Sequence, residues 1–170
     1  FYSIINDPLH PEDVLLQSMI YLGDNHFYIG KLDSAIVYYK LVEDLTILKP
    51  NILPVLDRFR ILNSLGFSNF ELGNYQLARN YFYKALQYEN QDFSSKNDVI
   101  AVIKINIAAI DKKEHRYESA KNIYFELLKG KYEEEIELKS NFKIELANIY
   151  SRNNQPDSAK IILTDADTSK

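Results

Sequence analysis

"LNSLGFSNFELGNYQLARNYFYKAL", residues 62–86, reads as helix almost throughout, yet it holds two glycines, Gly66 and Gly73, inside one long apolar pattern. A glycine in a helix interior costs on the order of 1 kcal/mol against alanine, so each needs a reason. Leu62, Leu65, Gly66, Asn69 and Phe70 fall at i, i+3, i+4, i+7 and i+8, the spacing of one helical face. Downstream, Ala78, Phe82, Ala85 and Leu86 make a second face. Between the two, "ELGNY" forms a turn on Gly73, where a positive φ is cheap only for glycine. The stretch is a helix–turn–helix hairpin, and Gly66 belongs where its two helices cross closely and a side chain would push them apart.

The pattern recurs in "GKLDSAIVYYKLV" (30–42), "HRYESAKNIYFELL" (115–128) and "NQPDSAKIILTDA" (154–166). The aligned alanines, Ala35, Ala78, Ala120 and Ala159, fall at intervals of 43, 42 and 39 residues. Gly23, Gly66, Ala108 and Ala147 take the crossing position. Gly30 and Gly73 take the turn, and His115 stands where the third turn would have its glycine. Gly130 fits a helix C-terminal stop. Packing and termination thus use all five glycines, leaving none for a phosphate loop. Pro156 suits a helix start, where its missing N–H costs nothing, and Ser95-x-x-Asp98 suits a capping start. Helices are expected over 11–28, 33–47, 54–72, 75–89, 97–113, 117–129, 132–152 and 156–166, with "FYSII" (1–5) as the end of an earlier helix. "LKPNILP" (48–54) and "ENQDFSSKND" (89–98) read as inter-repeat loops.

These residues resemble the tetratricopeptide repeat, whose signature runs W-x2-L-G-x2-Y, then A-x3-F, then P. Leu62 stands at the Trp position, Leu65-Gly66 match, Asn69 replaces the Tyr, and Ala78 and Phe82 match. The first repeat gives Met19, Leu22-Gly23, His26, Ala35 and Tyr39. The third gives Lys104, Ile107-Ala108, Asp111, Ala120 and Tyr124, and the fourth Lys143, Leu146-Ala147, Tyr150, Ala159 and Leu163. The resemblance implies an all-α fold, an α-solenoid of tandem antiparallel helix hairpins in a right-handed superhelix. It implies one domain over 1–170 with repeats near 12–50, 55–92, 97–130 and 132–167. The chain starts at Phe1 rather than Met, so a processed or excised piece of a longer protein is expected.

Such arrays leave a concave wall lined by the first helix of each repeat, and in the resembled family that wall binds peptides or partner proteins. The inner positions carry over to Gln17, Ile20, Tyr21, Asp24 and Tyr28, then Arg60, Asn63, Ser64, Phe67 and Phe70. Further along they fall on Ile105, Asn106, Ala109 and Lys113, then Asn141, Glu145, Asn148 and Arg152. The expected partner-binding residues are Tyr21, Tyr28, Arg60, Asn63, Phe67, Phe70, Asn106 and Asn148. The clamp for a C-terminal carboxylate known in one subfamily, Lys and Asn on the first repeat and Lys and Arg on the third, is missing, since its places hold Ile20, Asp24, Val102 and Asn106. The Asp-Ser-Ala helix starts and the period near 40 resemble repeat regions of bacterial sensor kinases and transcriptional regulators. A peptide-pheromone receptor is an alternative, with asparagines gripping the peptide backbone, and an envelope-assembly or secretion scaffold is another. The last helix carries Ile161, Ile162 and Leu163, so self-association there, or cover by further chain, is expected.

The formal net charge is −4, with no cluster of Lys and Arg for nucleic acid. The chain has no cysteine, which excludes disulfides, thiol catalysis and cysteine zinc sites. No apolar run approaches the roughly 18 residues of a membrane helix, and cytoplasm and periplasm are both compatible. His10, His26 and His115 lack partners in metal-like spacing. The glutamates of "KYEEEIELK" (131–139) read as a solvated helix start, and the other carboxylates fall in helix-surface patterns. Nucleophile triads and Rossmann fingerprints are missing. The sequence reading is of a non-enzymatic scaffold that takes no cofactor or metal.

Overall fold

The computed structural model describes residues 11–88, 96–129 and 136–164. The expected "FYSII" helix end, most of the 89–98 loop, the Ser95 cap, the Gly130 stop and the glutamates at 133–135 lie outside the described residues. Those described form eight helices: α1 (Pro11–Tyr28), α2 (Leu32–Leu48), α3 (Val55–Glu71), α4 (Tyr75–Leu86), α5 (Lys96–Lys113), α6 (Tyr117–Leu128), α7 (Ile136–Arg152) and α8 (Pro156–Thr164). Expected and observed ends agree closely. The main departure is α4, which stops at Leu86 instead of running to residue 89; Gln87 and Tyr88 form a turn, their N–H groups donating to the Lys84 and Ala85 carbonyls.

The helices gather into two compact units, Phe1–Ser94 and Ser95–Lys170. In the first, α1 packs on α2, α2 on α3 and α3 on α4; in the second, α5 packs on α6, α6 on α7 and α7 on α8. Consecutive helices pack in pairs, with no strand among the described residues, which is consistent with a helical-hairpin solenoid.

The four hairpin turns share one backbone design. The N–H groups of Lys31, Asn74, Arg116 and Gln155 donate to the carbonyls of His26, Asn69, Asp111 and Tyr150. One residue earlier, Gly30, Gly73, His115 and Asn154 donate to Phe27, Phe70, Lys112 and Ser151. This paired closure satisfies carbonyls that a helix end would otherwise leave open, and it needs a left-handed residue. The φ values there are 74°, 78°, 59° and 56°. Ala35, Ala78, Ala120 and Ala159 then donate the first bonds of the returning helices, to Lys31, Asn74, Arg116 and Gln155.

The repeat residues fill the cores. Ala35, Tyr39, Leu65, Ala78 and Phe82 are sealed in the first unit. Ala108, Ala120, Tyr124, Phe142, Leu146 and Ile149 form one cluster in the second. Each large side chain so buried contributes roughly 1.5–3 kcal/mol. The crossing glycines have a specific cause: a Cβ on Gly23 would lie 2.7 Å from the Tyr39 ring, and one on Gly66 2.4 Å from the Phe82 ring. What demands glycine is a ring of the returning helix packed close against its backbone. Leu22, at a signature core position, is instead exposed.

Candidate partner-binding face

Helix α3 presents two faces. Phe59, Leu62, Leu65, Gly66 and Asn69 point into the core and are buried. Arg60, Asn63, Phe67 and Phe70 follow helical spacing on the other side; Arg60 is exposed and the other three half-buried. Phe70, which the apolar pattern places on the face of Leu62, Leu65, Gly66 and Asn69, stands instead half-buried beside Phe67.

Phe67 and Phe70 belong to a continuous file of rings. Phe27 of α1 meets Phe67 at 5.7 Å between centroids, Phe67 meets Phe70 at 6.3 Å, and Phe70 meets Tyr75 at the start of α4 at 5.7 Å. Tyr28 packs edge-on against Phe27 at 5.9 Å. Tilted pairs at these separations suit the ring quadrupoles. The file joins the first helices of two successive repeats and leaves Tyr28 83% and Tyr21 67% exposed. Phe27 and Tyr75 are members that sequence reasoning missed. Each sits beside a turn glycine's hairpin end and carried no periodic signal of its own.

Beside the rings lies a polar network. The Tyr39 hydroxyl donates to Asp24 Oδ1 at 2.7 Å, and Arg60 Nη2 lies 3.8 Å from Asp24 Oδ2 and 4.0 Å from Asp57 Oδ1. Burial, then the hydrogen bond to Asp24 and its negative charge, push the Tyr39 phenol far above its ordinary value. Arg60 is half in water, so its ion pairs are worth about 0–1 kcal/mol and its guanidinium can exchange them for a partner's carboxylate. Ile20, an expected wall residue, is instead a core residue, 3% exposed. It lies on the same α1 face as buried Leu16 and Gly23, where helical spacing sends it inward.

In the second unit Asn106 on α5 is half-buried and Asn148 on α7 exposed. Near them Lys112 of α5 pairs with Glu145 of α7, its ammonium 5.9 Å from the centre of the Tyr124 ring. Burial first, and then the Glu145 charge, raise the Tyr124 phenol well above its ordinary value. The expectation that carboxylates fall in surface patterns fails at Asp111. Its side chain is sealed, accepting from Arg116 Nε at 3.0 Å and Ser119 Oγ at 2.6 Å. It occupies the position of Asn69 and His26 in the earlier hairpins, next to the turn, and ties the α5 end to the start of α6.

Among the described residues no three His, Asp or Glu side chains gather as metal ligands, and no described helix is long and apolar enough to cross a membrane. No curated protein matches the chain. Residues 59–92, from Phe59 in α3 through α4 and beyond it, match the family profile described as the tetratricopeptide repeat, and the helical repeats are consistent with that family.

Proposed function

We propose that this chain is a non-catalytic scaffold that holds an extended protein or peptide segment against the exposed face of the first-of-pair helices within each compact unit. A tetratricopeptide repeat points to a protein-interaction scaffold. The observation that carries the finer reading is the ring file from Tyr28 through Phe27, Phe67 and Phe70 to Tyr75, which lies outside the core face of α3. Such rings bury a partner's apolar side chains, while Asn63 and Arg60 supply hydrogen bonds to its backbone and carboxylates. Tyr21 extends that surface on α1. Asn106 and Asn148 supply the equivalent amide contacts within the second unit. The biological setting we propose is the sensing or interaction region of a bacterial regulatory protein, supported by the Asp-Ser-Ala helix starts at 33–35 and 157–159 and the long period. Exposed Ile161 and Leu163 on α8 support pairing of that helix with another copy or with further chain.

The test is capture of partners on the immobilised chain, followed by affinity measurement with variants. Phe67→Ala and Tyr28→Ala should each cost about 2 kcal/mol or more as anchor residues, with helix content unchanged by circular dichroism. Full affinity in both variants would move the site off this face.

A further inference from the structure

On the core-facing side of α3, away from the ring file, α2, α3 and α4 leave a cleft of about 180 Å³. Its apolar wall is Ile47, Ile61 and Leu62, and Arg58 and Lys84 bring positive charge to it. The two cations are not alike. Lys84 is already paired with the buried Glu43 carboxylate. Glu43 also faces the Tyr81 phenol, whose titration burial and that carboxylate push up to about 12. Thr46 donates its hydroxyl to the Glu43 carbonyl at 2.7 Å. Arg58, by contrast, has its Nε and Nη2 shielded from water and without an acceptor among the described residues. A guanidinium carries five donors and cannot lose its charge, and a shielded cation without a counter-charge is costly. Among the described residues the cleft therefore holds one uncompensated positive charge beside an aliphatic wall.

We propose that this cleft binds a small aliphatic carboxylate, its charge facing the Arg58 guanidinium that lines the cleft and its hydrocarbon body on Ile47, Ile61 and Leu62. A single uncompensated charge matches a monoanion rather than a phosphate dianion. The volume falls below the roughly 300–1,000 Å³ of sites for drug-sized molecules, so the ligand is a short branched acid or one terminal residue of a peptide. The site lies across α3 from the proposed partner face, and its occupancy is independent of whether that face binds anything.

Isovalerate titrated into the intact chain, in a buffer free of carboxylate and phosphate, should shift the methyl NMR signals of Ile47, Ile61 and Leu62, with a Kd on the order of 1 mM. Isovaleramide, the neutral isostere, should bind at least about tenfold more weakly. Acetyl-leucine compared with isovalerate separates a peptide end from a free acid: tighter binding of acetyl-leucine assigns the peptide terminus, and weaker binding assigns the free acid. Arg58→Gln should abolish the isovalerate shifts, whereas Phe67→Ala on the opposite face should keep them. If Arg58→Gln fails to fold, the amide comparison on the parent chain still decides. No methyl shifts with isovalerate, equal binding of acid and amide, or undiminished binding by a folded Arg58→Gln would each overturn the proposal.

Discussion

Gly66 and Gly73 belong to one stretch of chain but answer to different forces. At Gly66 the backbone is ordinary helix and the obstacle is the buried Phe82 ring, 2.4 Å from where a Cβ would stand. At Gly73 no atom lies within 4 Å of such a Cβ, and the obstacle is a φ of 78°. Gly66→Ala is therefore expected to destabilise by about 1–3 kcal/mol through overpacking, read as a lower urea midpoint at unchanged slope. The turn behaves otherwise. His115 and Asn154 hold the same backbone shape with side chains, and Asn is among the residues that tolerate it. Gly73→Asn should thus cost less than Gly73→Val, whose branched Cβ makes this φ an outlier. Equal midpoints for the two would mean that φ is not what selects glycine there. The Gly66 crossing and the Gly73 turn were legible because spacing located them. Asn154 was not read as a turn residue, although it follows His115 by the same 39 residues that separate the last two alanines. Its identity gave no sign, because asparagine is common on helix surfaces too.

At the scale of elements, helix ends were readable wherever apolar periodicity stopped at a turn, and the eight helices follow it. What stayed hidden were polar residues whose burial depends on a second helix. Asp111 looked like a surface carboxylate because nothing in its own helix shows that Arg116 and Ser119 close over it. Removing it should be felt. Asp111→Ala leaves the Ser119 hydroxyl and Arg116 without their shared acceptor and should cost roughly 1–3 kcal/mol. In a double-mutant cycle with Ser119→Ala the two losses should fall short of adding, since the residues act through one hydrogen bond. Strict additivity would show that the 2.6 Å contact contributes nothing. The ring file was half legible in the same sense. Phe67 and Phe70 stood out by spacing within α3, whereas Phe27 joins them only because α1 and α3 lie side by side.

At the scale of the whole chain, three sealed phenols, Tyr39, Tyr81 and Tyr124, set an alkaline limit. Burial is the leading cause in each, and nearby carboxylates add to it. The folded chain keeps these groups neutral beyond the ordinary tyrosine value near 10, while the unfolded chain ionises them there. Their contribution to stability is therefore complete below pH 10 and declines as pH rises through about 12, the value for Tyr81. Urea midpoints should be insensitive to these groups at neutral pH and fall above pH 10. Tyr81→Phe should flatten that fall, and an equal fall in the variant would clear Tyr81 of it. Association is the second property at this scale. If α8 pairs with another copy, sedimentation velocity should show concentration-dependent dimer that Ile161→Ser with Leu163→Ser abolishes. The parent chain staying monomeric at high concentration would remove self-pairing. The Arg58 cleft lay beyond the reach of sequence for a reason of the same kind: Arg58 and Lys84 reach it from different helices, and an arginine without an acceptor looks no different in sequence from one with it.

The ring-on-glycine pairs also bear on how such a chain can be recombined. In the first two hairpins a glycine receives an aromatic ring, Gly23 with Tyr39 and Gly66 with Phe82. In the last, the matching positions hold Ala147 and Leu163. The hairpin turns share one hydrogen-bonding scheme and would splice without complaint, so a crossover inside a turn is invisible to the backbone. It is not invisible to the crossing. Joining α3 to α8 at the turn would bring no ring over Gly66, since Leu163 is exposed on α8, and joining α7 to α4 would drive the Phe82 ring into the methyl of Ala147. Exchange of half a hairpin is therefore expected to lower stability at the crossing, whatever the turn itself permits.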